Sequence, residues 1–254
     1  MSLRVLIVPD KFKGTLTAAA AAEAIAEGWR GVRPGDSLSL LPISDGGDGF
    51  GAVLADRLGA EARVVDTVDA AHRPLRARWW YEARSGRALI ESAAIIGLAL
   101  LPPGRFHPFD LDTTGLGAAL RAALEAGARE VLMGIGGSAT NDAGFGLARA
   151  LGWRFWDADG RPIERWIHLD RLHHWERPEV PFPLPITVAV DVDNPLLGPR
   201  GCSRVYGPQK GLLPENLGIA DAALGRLAEF ATTTTGSRTD ECPGAGAAGG
   251  LGFG

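Results

Sequence analysis

The sequence predicts an α/β fold with mostly parallel sheets, arranged as two lobes, and three observations carry this prediction. Short apolar runs typical of buried strands alternate with Ala-rich segments of helical period, beginning with "RVLIV" and "LTAAAAAEAIAEGW". Polar, Gly-rich turns join each strand to the next helix, as in parallel sheets. Residues 63–90 break this rhythm and are predicted to form the seam between the lobes.

The first part of the chain is predicted to contain two strand–helix units, with strands at residues 4–8 and 37–43 and helices at residues 16–32 and 50–60. Thr15 or Thr17 is expected to cap the first helix, because a hydroxyl at this position accepts a hydrogen bond from a free backbone N–H. Gly59 is expected to end the second helix. The segment that follows has short alternating runs and turn residues, which predict antiparallel strands or hairpins.

The α/β rhythm then resumes, and the predicted elements are a helix at residues 115–128, a strand at 129–135, a helix after residue 142, a strand at 186–192 and a helix at 216–231. Residues 166–185 are rich in Trp and Pro and have no clear period, so they are predicted to be a connection or a peripheral insertion. Residues 193–211 are interpreted as a loop. The predicted division is a first α/β domain beginning with residues 1–65 and a second α/β domain at residues 66–254.

Composition excludes several classes of function. The net charge is −4 and the basic residues are scattered, so nucleic acid is not an expected partner. The two cysteines, Cys202 and Cys242, are too few for a disulfide framework, which fits a reducing cytosol. No apolar stretch approaches about 18 residues, so no membrane partner is expected. We therefore predict a cytoplasmic protein.

The segment "GIGGSATNDAGFG", residues 134–146, follows the apolar run "EVLM" and combines glycines with small hydroxyl residues. At a strand–helix junction such a loop exposes backbone N–H groups beside the positive end of a helix, which favours phosphate binding. The alternative is that these glycines only make tight turns. The position at the carboxyl end of a strand favours the ligand site.

Two phosphate ligands fit this loop. The spacing of Gly134, Gly136 and Ala139 satisfies a loose dinucleotide fingerprint, and Asp157 or Asp159 follows at the distance of a ribose-binding acid. An NAD-dependent oxidoreductase is therefore one alternative. Asp142, however, would repel a pyrophosphate at the mouth of the loop unless a cation intervened. An acid in a phosphate loop favours a metal-bound phosphate, commonly with Mg²⁺.

Other strand ends have residues of the same chemistry. "SDGGDG", residues 44–49, places two carboxylates around two glycines, which suits a metal-bound phosphate. "DKFKGT", residues 10–15, carries two lysines, and "YGPQKG" carries Lys210. Asp191 follows the apolar strand "ITVAV", where it could accept a proton.

Six blocks together resemble the glycerate kinase family, of the bacterial glycerate 2-kinase type: "PDKFKGTLTA", "PISDGGDG", "GIGGSATNDAGFG", "VAVDVDNPLLG", "GPQKG" and "PGAGAAGGLG". The resemblance spans essentially the whole chain. It implies phosphorylation of D-glycerate by ATP with Mg²⁺, with 2-phosphoglycerate as the favoured product. It also implies two α/β lobes around a cleft, one of them flavodoxin-like. The expected partner is a small-molecule substrate, and a homodimer is considered as the assembly.

The resemblance also suggests roles for individual residues. The residues expected to bind the nucleotide are Gly136, Gly137, Ser138, Ala139, Thr140, Asn141 and Lys210. Asp45 and Asp142 are expected to hold Mg²⁺, and Lys13 is expected to meet the glycerate carboxylate or the transferring phosphoryl group. Asp191 is the predicted base for the glycerate hydroxyl.

Chains of this family continue beyond the point that corresponds to Gly254, so the sequence is expected to be truncated at its C-terminus and the fold partial. For a truncated chain, a non-catalytic module that binds a phosphorylated ligand is the alternative function.

Overall fold

The computed structural model describes residues 2–254, in which nine strands form three sheets. The strands are β1 (Arg4–Ile7), β2 (Ser37–Leu40), β3 (Glu61–Val68), β4 (Pro74–Glu82), β5 (Arg87–Glu91), β6 (Glu130–Gly134), β7 (Arg154–Trp156), β8 (His174–Glu176) and β9 (Ile186–Ala189). The helices are α1 (Ala18–Val32), α2 (Phe50–Leu58), α3 (Ala93–Ile96), α4 (Leu116–Glu125), α5 (Phe145–Ala150), α6 (Cys202–Lys210), α7 (Pro214–Thr235) and α8 (Ala247–Gly250). The predicted α/β class is confirmed.

The largest sheet has five strands in the order β3-β4-β5-β6-β9. Strands β5, β6 and β9 are parallel, whereas β3, β4 and β5 pair antiparallel. The antiparallel part corresponds to the segment whose alternating pattern predicts hairpins. The predicted domain boundary at residue 65 falls inside β3, and the division into two domains stays a prediction.

The amino-terminal sheet has two strands, with β1 and β2 parallel to each other and α1 packed on them. Ala22 and Ala26 bury one face of α1 against Ile7, because their small side chains let the helix lie close to the strands. The hydroxyl of Thr17 accepts a hydrogen bond of 3.1 Å from Ala20 N, so Thr17 is the cap. Gly59 ends α2 in the left-handed conformation, as expected.

Two hydrophobic cores flank the phosphate-loop segment. One lies between the five-stranded sheet and helices α3 and α4 and includes Trp79, Leu116 and Met133. The other lies under α7 and includes Phe145 and Trp166. Among residues 2–254, no helix has the length and apolar content that crossing a bilayer requires.

Two segments differ from the sequence prediction. Within residues 193–211, which are interpreted above as a loop, the structure has helix α6, and Pro208 lies inside it. The turn residues before Cys202 and the Gly-Pro pair within the helix interrupt the helical spacing of apolar residues, so the sequence pattern does not indicate a helix. Residues 166–171 form a 3₁₀ helix, and Trp166, Leu169 and Leu172 are buried under α7. Their spacing of three matches a 3₁₀ turn, which a search for a period of 3.6 misses.

The loop after β2 touches the loop after β6. Gly136 N donates a hydrogen bond of 3.0 Å to Gly46 O. A Cβ at Gly136 would lie 2.9 Å from Gly47 Cα, and a Cβ at Gly46 would lie 2.6 Å from Ala189 O. Only glycine lets these three backbone segments approach so closely.

This contact predicts an unequal cost for two Gly→Ala substitutions. Gly46 and Gly14 both have left-handed backbones, which cost alanine about 1–2 kcal/mol. A Cβ at Gly14 meets nothing within 4 Å, whereas a Cβ at Gly46 overlaps Ala189 O. Overpacking adds about 1–3 kcal/mol. We expect Gly46→Ala to lower the free energy of unfolding in urea by about 2 kcal/mol more than Gly14→Ala. Equal losses would contradict the close contact.

Candidate active site

A cavity of about 230 Å³ lies where the loops after β1, β2, β6 and β9 converge with the end of α6. We call it the central cavity. The predicted site residues on its wall are Lys13, Asp45, Gly136, Gly137, Ser138, Asp191 and Lys210, and Lys11, Asp48, Tyr206 and Gln209 also line it. Segments far apart in the sequence therefore contribute positively and negatively charged groups to one cavity.

An ion pair joins the loops after β1 and β2. Lys11 Nζ donates a hydrogen bond of 2.5 Å to Asp45 Oδ1. Burial opposes the charge on Lys11, but Asp45 prevails and holds the pKa of Lys11 above its ordinary value. Burial likewise tends to raise the pKa of Asp45, but hydrogen bonds from Lys11 and from Gly47 N outweigh it and the pKa lies below its usual range. Both groups are therefore charged at neutral pH.

The sequence singles out Lys13, and the structure adds Lys11. Lys13 lines the central cavity and is close enough to contribute to the low pKa of Asp45. Lys11 is the residue in direct contact with that carboxylate. Two lysines two positions apart cannot be ranked from the sequence, because the loop conformation decides which side chain turns toward the carboxylate.

The loop after β6 has two free backbone donors on the cavity wall. Within residues 2–254, the N–H groups of Gly137 and Ser138 donate no backbone hydrogen bond. The buried side chain of Lys210 lies beside them, and its Nζ donates to Ser138 Oγ at 3.1 Å and to Thr140 O at 2.6 Å. Burial lowers the pKa of Lys210 to about 8. These groups have the chemistry that binding an anion requires.

The second half of the same loop turns away from the central cavity. Ala139, Thr140, Asn141 and Asp142 are fully buried and are not on its wall. Ala139 N donates to Ile96 O at 2.8 Å, and Asn141 Nδ2 donates to Ser203 Oγ at 3.0 Å. The predicted nucleotide cradle therefore meets the cavity only in its first half, with Thr140 O contacting the Lys210 ammonium.

The carboxylate of Asp142 holds two neighbouring backbone segments together by hydrogen bonds. Its Oδ2 accepts hydrogen bonds from Thr113 N at 2.9 Å, from Thr113 Oγ1 at 2.7 Å and from Gly146 N at 2.9 Å. Burial raises the pKa of Asp142 to about 6. The structure does not bring Asp142 to the same cavity wall as Asp45, so the two predicted metal ligands do not converge there.

Glu91, at the end of β5, has a role that the sequence analysis misses. Its Oε1 accepts a hydrogen bond from Gly49 N and its Oε2 accepts one from Gly51 N, both at 3.0 Å. Burial raises the pKa of Glu91. The carboxylate thus ties the start of α2, and the loop before it, to the five-stranded sheet. An acid that ends the apolar run "RALIE" is the only signal in the sequence.

Asp191 follows β9 and is exposed on the wall of the central cavity. Tyr206 also lies on this wall, and its hydroxyl donates a hydrogen bond of 2.6 Å to Asn194 Oδ1. Burial raises the pKa of Tyr206, and the nearby charges of Asp191 and Asp193 add to this effect. Asp191 makes no hydrogen bond among residues 2–254, which leaves its carboxylate available to a ligand.

The donor set fits a magnesium ion that is bound together with a phosphate. No group of three or more His, Cys, Asp or Glu side chains within residues 2–254 could hold a metal by itself. Mg²⁺ commonly uses one or two carboxylates, waters and substrate phosphates. Asp45 Oδ1 is engaged by Lys11 and Gly47, and Asp45 Oδ2 makes no hydrogen bond among the same residues. Asp45 therefore keeps one carboxylate oxygen for a metal.

Several known proteins are similar to this chain over nearly its whole length. The chain is 39% identical over 266 residues to a glycerate kinase of Bacillus subtilis (strain 168), covering 99% of this chain and 67% of that protein. It is 36% identical to a glycerate 2-kinase of Escherichia coli (strain K12), covering 98% and 67% of the two chains.

A solved structure is also similar. The crystal structure of putative glycerate kinase 2 from Salmonella typhimurium LT2 superposes with a TM-score of 0.85 at 35% identity, covering 99% of this chain and 68% of that one. The profile of the glycerate kinase family matches residues 5–254. The chain therefore belongs to the glycerate kinase family and is a kinase.

Proposed function

We propose that this protein transfers the γ-phosphoryl group of ATP to a hydroxyl of D-glycerate, with Mg²⁺, and that the product is 2-phosphoglycerate. One observation carries the proposal: the free N–H groups of Gly137 and Ser138, the Lys210 ammonium and the carboxylates of Asp45 and Asp191 line one cavity. The name of the E. coli relative, a glycerate 2-kinase, supports the choice of product.

The phosphate-binding side consists of Gly137, Ser138 and Lys210. A kinase needs little covalent chemistry and works by holding donor and acceptor in line while charge moves. The two N–H groups would bind phosphate oxygens without a change of their own position, because the contact with the loop after β2 already fixes the loop. Lys210 would add a full positive charge in a site of low dielectric.

The metal would bind at Asp45. Bound Mg²⁺ would neutralise the charge on the phosphates and orient them for transfer. Asp48 lies on the same wall and is a second carboxylate for the ion or for its waters. Asp142 is assigned a structural role, because its carboxylate contacts only Thr113 and Gly146 among residues 2–254.

Lys13 and Asp191 would act on the acceptor. Lys13 would pair with the carboxylate of glycerate, and Lys11 would hold Asp45 in place. Asp191 would accept the proton of the attacking hydroxyl as the new O–P bond forms and the bond from the γ-phosphorus to ADP breaks. ADP then leaves with the former bridging oxygen.

An ADP-release assay tests the function. The unchanged chain, with ATP and Mg²⁺, is expected to release ADP when D-glycerate is added and to release less with other hydroxyacids. We expect Asp191→Asn to lower kcat about 100-fold or more, because general base catalysis contributes about 10²–10⁴-fold. Asp193→Asn is the matched control, since Asp193 is exposed nearby but does not line the central cavity.

Three results, from this assay and from thermal melts with added ligand, would count against the proposal. ATP binding without ADP release on any hydroxyacid would instead favour a module that only binds a phosphorylated ligand. Stabilisation by NAD but not by ATP with Mg²⁺ would favour the oxidoreductase. Turnover of Asp191→Asn within a few-fold of the unchanged chain would remove Asp191 from the role of base.

The pKa of Lys210 predicts how anion binding depends on pH. The ammonium form predominates below pH 8 and is lost as the pH rises through this value, so affinity for tripolyphosphate should fall about tenfold between pH 7 and pH 9. Lys11 stays charged over this range, since its pKa is raised. In Lys210→Met the affinity should be lower and this fall should be absent. Titration calorimetry measures the affinity of the unchanged chain and of Lys210→Met at each pH. The ionisation of tripolyphosphate affects both proteins equally, so it does not contribute to the difference between them. If the affinities of the unchanged chain and of Lys210→Met fell with pH to the same extent, the role of Lys210 would be contradicted.

A further inference from the structure

We propose that the nucleoside of ATP lies in a second cavity, bounded by residues 98–111 and by the end of α6, with Lys210 at the junction between base and phosphates. We call this the lateral cavity. The inference rests on the proposed function in that it takes ATP as the donor. The family match does not say which part of the chain holds the base.

Size requires a second compartment. The central cavity, at about 230 Å³, is smaller than the range of about 300–1,000 Å³ common for small-molecule sites, and it must also hold glycerate. The lateral cavity has a volume of about 620 Å³. Gln209 and Lys210 line both cavities, so the two adjoin each other at the end of α6.

The walls of the lateral cavity suit an aromatic base. Leu98, Leu101 and Pro108 supply apolar surface for the faces of a ring. The ring of Phe106 also lines the cavity, but the guanidinium groups of Arg73 and Arg105 lie over it. Arg105, His107 and Gln209 supply polar groups for its edge. His107 Nδ1 accepts a hydrogen bond of 3.2 Å from Phe109 N, which leaves Nε2 as the protonated nitrogen and a donor. Small-molecule and cofactor sites usually have mostly apolar walls with a few polar groups.

The lateral cavity is also fixed in position relative to the phosphate loop. Leu98 N donates to Gly137 O at 2.9 Å, and Ala139 N donates to Ile96 O at 2.8 Å. The segment that forms one wall of the lateral cavity thus pairs directly with the backbone that offers the free N–H groups. A phosphate chain bound at Gly137 and Ser138 can continue past Lys210 to a base beside Leu98.

A third cavity, of about 500 Å³, is the competing location. It is lined by the loops after β1 and β2 and by α2, and its apolar walls include Phe12, Leu16 and Ile43. It shares Lys11, Lys13 and Asp48 with the central cavity and none of the phosphate-loop residues. A base there would place the phosphate chain on the lysines that the acceptor needs, so the lateral cavity is favoured.

Two matched Leu→Trp variants test the location. Leu98 and Leu16 are 37% and 45% exposed, so a larger side chain at either position can extend into its cavity without disturbing a core. The probes are ATP, and tripolyphosphate as the same chain of phosphates without a nucleoside. We expect Leu98→Trp to weaken ATP binding at least tenfold in titration calorimetry and to change tripolyphosphate affinity less than twofold. Leu16→Trp should change neither.

The outcomes separate this inference from the proposed function. Unchanged affinity of Leu98→Trp for ATP, an equal loss for both probes, or a loss of ATP binding in Leu16→Trp would overturn the lateral cavity while leaving ATP as the donor. Failure of the unchanged chain to bind ATP would instead overturn the donor, and the inference would fail with it. Retained tripolyphosphate binding in Leu98→Trp shows that the variant is folded.

Discussion

The candidate site depends on one close contact, the backbone of Gly46 and Gly47 against the backbone of Gly136. A hydrogen bond from Gly136 N to Gly46 O joins the loops, and neither loop has a Cβ that would hold them apart. The contact brings the carboxylates after β2 to the free N–H groups after β6. Without it, the acidic and the phosphate-binding parts of the site would not lie together.

Charge compensation makes this assembly stable in partly buried surroundings. Two of the three lysines on the wall have an acceptor from another segment: Lys11 contacts Asp45, and Lys210 contacts Ser138 and Thr140. Glu91 fixes the start of α2 with two further hydrogen bonds. The cost of burying these charges is offset locally, and the groups are already in place for a charged ligand, which favours catalysis by preorganisation.

Part of this arrangement can be predicted from the sequence, since ligand-binding loops follow the carboxyl ends of parallel strands and the motifs after "LSL", "VLM" and "ITVA" lie at such ends. Strand β2 belongs to a different sheet from β6 and β9, so the contact between their loops does not follow from the strand pattern. Thr17 and Gly59 follow from local capping rules. The burial of Asp142, the choice of Lys11 as the partner of Asp45 and the role of Glu91 do not follow, because each depends on contacts between residues about 30–40 positions apart. Helix α6 is concealed by its own glycine and proline.

The most direct test that these loops form one binding site is a titration of the ¹⁵N-labelled chain with tripolyphosphate. The amide signals in NMR spectra monitor the binding. Gly47, Gly137 and Lys210 belong to three segments and line one cavity, so their signals should shift together and give a single common Kd. Shifts confined to one of these segments, or different Kd values for the three, would contradict the account.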